Sequence, residues 1–425
     1  MLSTRGKEWT RVSYLHGKED LYHEKDNPNG IVWLTNAENW FMRDDMMDFI
    51  SSHSQFGKHC CTYGEGYTGT LRLRTAMANH LNIHFRPVQA IDPEDVTFSA
   101  GVTDLNEACS LVTCNPGDAI MLGRPVYGPF GKDLALRTGV KLEWVDVGDT
   151  DQFSPACAAA YEAAFEKAKA RGSNIKALII TNPHNPLGQC YPRETLLALL
   201  RFCAAKKIHL ISDEIYALSV YDRNDRPSEK FTSVLSIDIS DVIDPRYIHI
   251  LYGMSKASPQ SCVVTRNEDF SKAIRAICRF SSPSQLSMEI AAAFLEDQQF
   301  VSRFLQKSHH SLLQSRLLAE DYLVQAGIQY HHPGNAALFI WIDLSPYLPR
   351  TETDGDGWAA ERLLVKRFTQ AGVLLDAGEG YHAPYPGRFR LMFTIDESTL
   401  REGFRRLLFP LYSYLYIKLI LTTLL

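Results

Sequence analysis

Apolar residues gather along this chain in short runs separated by stretches with helical spacing. The runs at 119–122, 140–145, 177–181, 208–211 and 247–251 have the length and β-branched content of buried strands. Residues 156–170 and 193–206 place apolar positions three and four apart, which predicts helices between them. Such alternation predicts an α/β fold with a mostly parallel sheet covered by helices on both faces. A further strand is expected to run from Asp95 into Ala100-Gly101, with a helix beginning near Thr103.

The pattern changes on both sides of this region. Residues 1–30 are polar and poorly periodic, 30–34 form a short apolar run, and 40–50 have helical spacing. After about residue 300 a long helical stretch (301–326) leads to strands at 337–342 and 387–393. The expected division is an N-terminal arm (1–45) joining the small domain, a large domain (46–299), a smaller α/β C-terminal domain (300–409) and an apolar tail (410–425). That tail has 16 residues with Lys418 inside, short of the ~20 that span a bilayer.

A formal net charge of −5 gives no general attraction for nucleic acid or anionic membrane, so a small-molecule ligand is expected. Nine cysteines without a C-x-x-C pair, and no apolar leader, fit a reduced cytoplasmic compartment. His80 and His84 stand four apart but lack the intervening glutamate of a zinc-protease helix, and no metal is expected. Gly64, Gly66 and Gly69 spell G-x-G-x-x-G, yet the preceding 57–62 is a poor strand, so a dinucleotide site there is disfavoured. The loop 353–357 has too few spaced ligands for calcium.

The chemistry-bearing residues cluster just past strand ends, where ligands bind in open parallel sheets. One run is followed by Asn182-Pro-His-Asn-Pro-Leu-Gly188, the next by Asp213, Glu214 and Tyr216, and the run at 247–251 by Ser255 and Lys256. An amide, a carboxylate with a phenol, and an amine are thus aimed at one region. A lysine at a buried strand end can lose hydration, lower its pKa and act as a nucleophile. The helix start near Val102 and Thr103 presents unpaired N–H groups suited to phosphate.

Taken together, Ala37-Glu-Asn39, Gly101-Val-Thr-Asp-Leu-Asn-Glu107, Asn115-Pro-Gly-Asp118, Pro125-Val-Tyr127, Asn182 to Gly188, Ser212-Asp-Glu-Ile-Tyr216, Ser255-Lys256 and Arg388-Phe-Arg390 resemble the class I/II aminotransferases. Within these pyridoxal-phosphate enzymes of fold type I, the chain is most similar to the 1-aminocyclopropane-1-carboxylate synthase-like branch. The resemblance covers residues 28–409. It implies a seven-stranded sheet and a homodimer.

The resemblance also implies roles. Lys256 would hold pyridoxal 5'-phosphate as a Schiff base and move the α-proton of an amino acid. Asp213 would pair with the ring nitrogen, Asn185 and Tyr216 would bond its phenolic oxygen, and Tyr127 would stack on its face. Val102, Thr103, Ser255 and Tyr67 would hold the phosphate, Tyr67 from a second subunit. Arg390 would clamp the substrate carboxylate, with Asn185 and Glu38 beside it. The implied activity is an aminotransferase, with a carbon–sulfur lyase or a cyclopropane-forming synthase as alternatives. After Lys256 the chain is about five residues shorter than the family's Gly-rich pattern and lacks its phosphate-binding arginine, Arg266 standing too late. A catalytically impaired relative is therefore a further alternative.

Overall fold

The computed structural model describes residues 2–10, 20–53, 56–254 and 260–423. The strands are β1 (Val32–Trp33), β2 (Val96–Ser99), β3 (Ala119–Gly123), β4 (Lys141–Val145), β5 (Ile175–Thr181), β6 (His209–Asp213), β7 (Ile248–Gly253), β8 (Ser261–Thr265), β9 (Gln329–Tyr330), β10 (Phe339–Asp343), β11 (Val373–Leu374), β12 (Asp376–Ala377) and β13 (Arg388–Met392). Seven of them form one sheet in the order β2-β8-β7-β6-β5-β3-β4. The pairs from β4 across to β7 are parallel, and β8 runs antiparallel to both β7 and β2.

Successive side chains in this sheet go to opposite faces, and each face has its own core. Met121, Leu178, Leu210 and Ile250 pack under helices including Leu71–His84, Arg193–Lys206 and Gln285–Glu296. Ile120, Ile179, Ile211 and Leu251 pack on the other face against Val102–Thr113, Phe130–Ala135 and Glu268–Cys278. Burial on both faces explains why the strands read as continuous apolar runs rather than alternating ones.

Local signals set the helix boundaries. The Thr70 side chain accepts the Leu73 N–H at 3.1 Å and caps Leu71–His84. Arg193–Lys206 starts after Pro192 and ends at Lys207, whose φ of 54° is left-handed. The 28-residue helix Gln298–Gln325 is capped by Asp297, whose carboxylate accepts the Phe300 N–H at 2.8 Å. G-x-G-x-x-G follows a short 3-10 turn, Lys58–Cys61, instead of a strand.

A second sheet, β12-β13-β10-β9, is antiparallel and has a separate core around Phe339, Ile340, Phe389 and Leu391. The N-terminal segment joins it: β1 pairs in parallel with β11, and Leu34 accepts the Met392 N–H at 3.0 Å. The last helix, Glu397–Thr423, contains Pro410. Among the described residues, no helix is long and apolar enough to cross a membrane.

Candidate active site

The parallel strands point their carboxyl ends at one cleft of about 460 Å³, a volume in the usual range for small-molecule sites. Thr181 at the end of β5 stands opposite Asp213 at the end of β6, and both line it. Asn185 enters from the loop after β5, Tyr216 from the turn after β6, and Tyr127 from the loop after β3. Gly101, Val102 and Thr103 bring the start of the helix Val102–Thr113 to the same space. The opposite wall comes from Thr35, Asn36 and Ala37 of the N-terminal segment and from Asp376, Tyr381 and Arg390 of the second sheet.

Each wall has a distinct electrostatic character. The helix Val102–Thr113 has Gly101, which carries no side chain, at its cap position and so no side-chain cap, and the Asp104 carboxylate in its first turn is bonded by Ser99 Oγ. Its first N–H groups are therefore open to an anion. Asp213 is 4% exposed, and its Oδ1 accepts the Ile215 N–H at 3.2 Å. Tyr216 packs edge-on to Phe339 at 5.4 Å, and Tyr127 edge-on to Phe130 at 5.2 Å. Burial pushes the Tyr127 phenol above its usual range.

Arg390 is the one basic residue that lines the cleft among those described. Its Nε and Nη2 donate to Asp376 Oδ2 at 3.1 and 2.6 Å, its Nη2 to the Thr35 carbonyl at 2.5 Å, and its Nη1 to Asn185 Oδ1 at 3.3 Å. Tyr381 donates its hydroxyl to the same Asp376 oxygen at 3.0 Å. Burial, and then the Asp376 carboxylate, push that phenol well up, although Arg390 acts the other way.

The arrangement fits pyridoxal phosphate. An uncapped helix start faces one end, a buried carboxylate lies at the strand ends, and an aromatic ring borders the cleft. Two buried acceptors, Thr181 Oγ1 and Asn106 Oδ1, line the same space without a hydrogen-bond partner among the described residues. Buried polar groups are normally satisfied, so these are suited to a polar ligand.

Of the residues singled out in the sequence, Val102, Thr103, Tyr127, Asn185, Asp213, Tyr216 and Arg390 come together here. Ser255 and Lys256 lie outside the described residues, though β7 ends at Gly253 beside the strand that carries Asp213. A Cβ at Gly253 would collide with Ser261, which explains a glycine at that close approach. Glu38 does not line the cleft, and its carboxylate pairs with Arg43 at 2.5 Å. Tyr67 also stands outside it, 37% exposed, with its ring near Tyr63 and Arg279. Arg266 donates to the Gln89 and Ala90 carbonyls at 2.7 and 3.1 Å and does not line the cleft.

Thr35, Asn106, Asp376 and Tyr381 also line the cleft and were not expected from the sequence. Asn106 was within reach, because it stands four residues after Val102 and therefore on the same helix face. Nothing local marks the other three.

The mostly parallel seven-stranded sheet with this cleft at its strand ends is the fold of the fold type I aminotransferases. Residues 60–407 match the model of the family described as aminotransferase class I and II. The chain belongs to that family, and its activity is of the pyridoxal-phosphate-dependent aminotransferase or lyase type.

Among curated relatives, 1-aminocyclopropane-1-carboxylate synthase 6 of Oryza sativa subsp. japonica is 31% identical over 397 residues, 88% of this chain and 71% of that one. The "Probable aminotransferase gliI" of Aspergillus fumigatus is 32% identical over 393 residues, 88% of each chain. Among solved structures, the aromatic aminotransferase of Pyrococcus horikoshii superposes with a TM-score of 0.71 at 16% identity, covering 91% of this chain and 95% of that one. The aspartate aminotransferase of Thermus thermophilus with maleate gives 0.69 at 20% identity, covering 89% and 91%.

Proposed function

We propose that this chain is an aminotransferase acting on an α-amino acid, with Lys256 as the residue that anchors pyridoxal phosphate and moves the α-proton. The single observation that carries this is the convergence of Asp213, Asn185, Tyr216, Tyr127 and an uncapped helix start on one cleft at the carboxyl end of the sheet. When bound, the cofactor supplies an electron sink for the carbanion left by proton removal.

The chain's own residues divide the remaining work. Asp213, buried at the strand ends, would pair with the ring nitrogen and keep it protonated. Asn185 and Tyr216 would bond the ring's phenolic oxygen, and Tyr127 would stack on its face. The N–H groups of Val102 and Thr103, with Ser255 and with a second copy's residue at the position of Tyr67, would hold the cofactor and its phosphate. Arg390, with Asn185 bonded to it, would orient the carboxylate of the substrate, and Glu38 directly follows Thr35, Asn36 and Ala37 of the cleft wall in sequence. Lys256, three residues past the end of β7 in sequence, would hold and move the proton at the α-carbon.

The names of several relatives, 1-aminocyclopropane-1-carboxylate synthases, favour a second reading in which the same proton removal is followed by loss of a β or γ substituent. We further place the chain in the cytoplasm as a homodimer. The seven-stranded and four-stranded sheets would then belong to a large domain (46–299) and a small one (300–409), the latter joined by the arm at 1–45.

The test is spectroscopic. Purified protein mixed with pyridoxal phosphate should absorb in the near-visible, and borohydride should fix the label on Lys256 in mass mapping. Lys256→Ala should lose both signals. A label confined to other lysines, or no label at all, overturns the assignment.

A further inference from the structure

The helix Val102–Thr113 brings a second polar group to the cleft, one that the roles assigned above leave unused. Asn106 stands four residues after Val102, about 6 Å along the same helix face at ~1.5 Å per residue. It lines the cleft and is as deeply buried as Asn185 and Asp213.

The two ends of its amide have different surroundings. Nδ2 donates to Asp133 Oδ2 at 3.4 Å, on the helix Phe130–Ala135, whereas Oδ1 has no partner among the described residues. Asp133 does not line the cleft, so the oxygen is the atom left to face it. The carboxylate fixes that choice, because turning the amide over would set its oxygen against an anion. Burial pushes the Asp133 carboxyl up to about 7, with the Asn106 bond and Lys132 acting the other way, so it is ionised at pH 8. Asn106 therefore offers the cleft an acceptor and no donor.

Its place on the helix says which part of the cofactor meets that acceptor. The first N–H groups of the helix take the phosphate, and Asp213 takes the ring nitrogen. Leu105, next to Asn106 in sequence, shares one core with Ile211, two residues before Asp213, so the helix lies over the strand that ends in Asp213. One turn in from the phosphate, Asn106 stands at the level of the ring. The phosphate and the ionised phenolic oxygen are acceptors, and the protonated ring nitrogen is a donor.

We infer that Asn106 is a further cofactor-binding residue whose Oδ1 accepts from the protonated ring nitrogen beside Asp213, and that Asp133 is the positioning residue that holds its amide that way round. Two acceptors sharing one N–H is a common three-centre arrangement. With acceptors alone around it, the nitrogen retains its proton. This rests on the placement of the cofactor in the proposed function.

The test uses the full chain at pH 8, loaded with pyridoxal phosphate carrying nitrogen-15 in the ring. The nitrogen-15 chemical shift reports whether the ring nitrogen is protonated, and equilibrium dialysis gives the cofactor dissociation constant. Wild type should show the shift of a protonated nitrogen. Asn106→Leu, similar in size and without an acceptor, should move that shift toward the unprotonated ring and weaken binding about tenfold, the scale of one hydrogen bond to a charged group. Asp133→Asn frees the amide to turn and should act in the same direction by a smaller step, and it covers the case in which Asn106→Leu fails to fold.

An unprotonated nitrogen in wild type, or a shift unmoved in both variants, overturns the inference. Neither readout needs a bond to Lys256, so the two assignments separate. A shift that moves while borohydride labels another lysine would sustain the role of Asn106 and sink that of Lys256. A label on Lys256 with an unmoved shift would do the reverse.

Discussion

Arg316 and Arg390 are both almost wholly buried, 0% and 5% exposed, and both meet the same strand, β10. Arg316 lies beneath the second sheet. It donates to Glu320 Oε1 at 2.7 Å and to the Phe339 and His331 carbonyls at 3.3 Å each. Glu320 in turn takes Arg223 at 2.7 and 2.9 Å and Arg226 at 3.0 Å. This network serves the fold, and it borders none of the cleft. Arg390 sits across Phe339 with a comparable set of bonds, yet its carboxylate partner fronts a cavity, so a ligand can read that charge pair. A buried arginine is thus structural or functional according to what its partner faces.

The largest expected effect separates the two on stability. Glu320→Ala leaves Arg316 buried without a carboxylate, and breaking a buried pair in this way costs about 3–5 kcal/mol. Asp376→Ala should cost less, about 1.5–3 kcal/mol, the worth of a charge-assisted bond, because Thr35 and Asn185 still bond Arg390 and water can enter the cleft. Urea unfolding midpoints would measure both, and equal losses would break the distinction.

A buried carboxylate with no cation sharpens the contrast. Glu214 is fully buried and bonded by Ser212, Ser233 and the Val234 N–H. Burial raises its pKa from 4.5 to about 7, against those bonds. The folded state therefore binds a proton that the unfolded state releases, so the stabilisation is complete below about 4.5 and is lost as pH rises through about 7. That window corresponds to about 3 kcal/mol at ~1.4 kcal/mol per unit. Glu214→Gln should flatten the fall in unfolding free energy across it, and an unchanged slope would show that Glu214 is not its source.

The smallest effect concerns function alone. Lysine cannot span Asp376, Thr35 and Asn185 at once, so Arg390→Lys should lower kcat/KM by about ten- to a hundredfold, the value of one lost charge-assisted bond. Its urea midpoint should move less than that of Glu320→Ala. A variant that keeps full kcat/KM would mean that the guanidinium fork does not orient the substrate.

The cleft was legible wherever one βα unit supplied a residue at its own strand end. Asn185 follows β5 and Asp213 closes β6, so parallel strands carry them to one edge without further information. Asp376 could not be found this way. Its neighbour is set by the register of β12 on β13 across a turn of about ten residues, and β12 has only two residues, too few to show a period. Thr35 reaches Arg390 across 355 positions through the pairing of the N-terminal segment with the second sheet. Glu38 shows the converse: its motif was visible, but the chain's path turns its carboxylate out toward Arg43.

The sequence by itself determined the parallel sheet, the helices on its two faces and the row of polar residues at its carboxyl edge, because hydrophobic period and strand-end position are local properties. Only the tertiary structure decided that an aspartate occupies the fork of Arg390 and that Arg316 is spent on the fold, because charge pairing across sheets depends on register and depth of burial, and neither is written in any short stretch of chain.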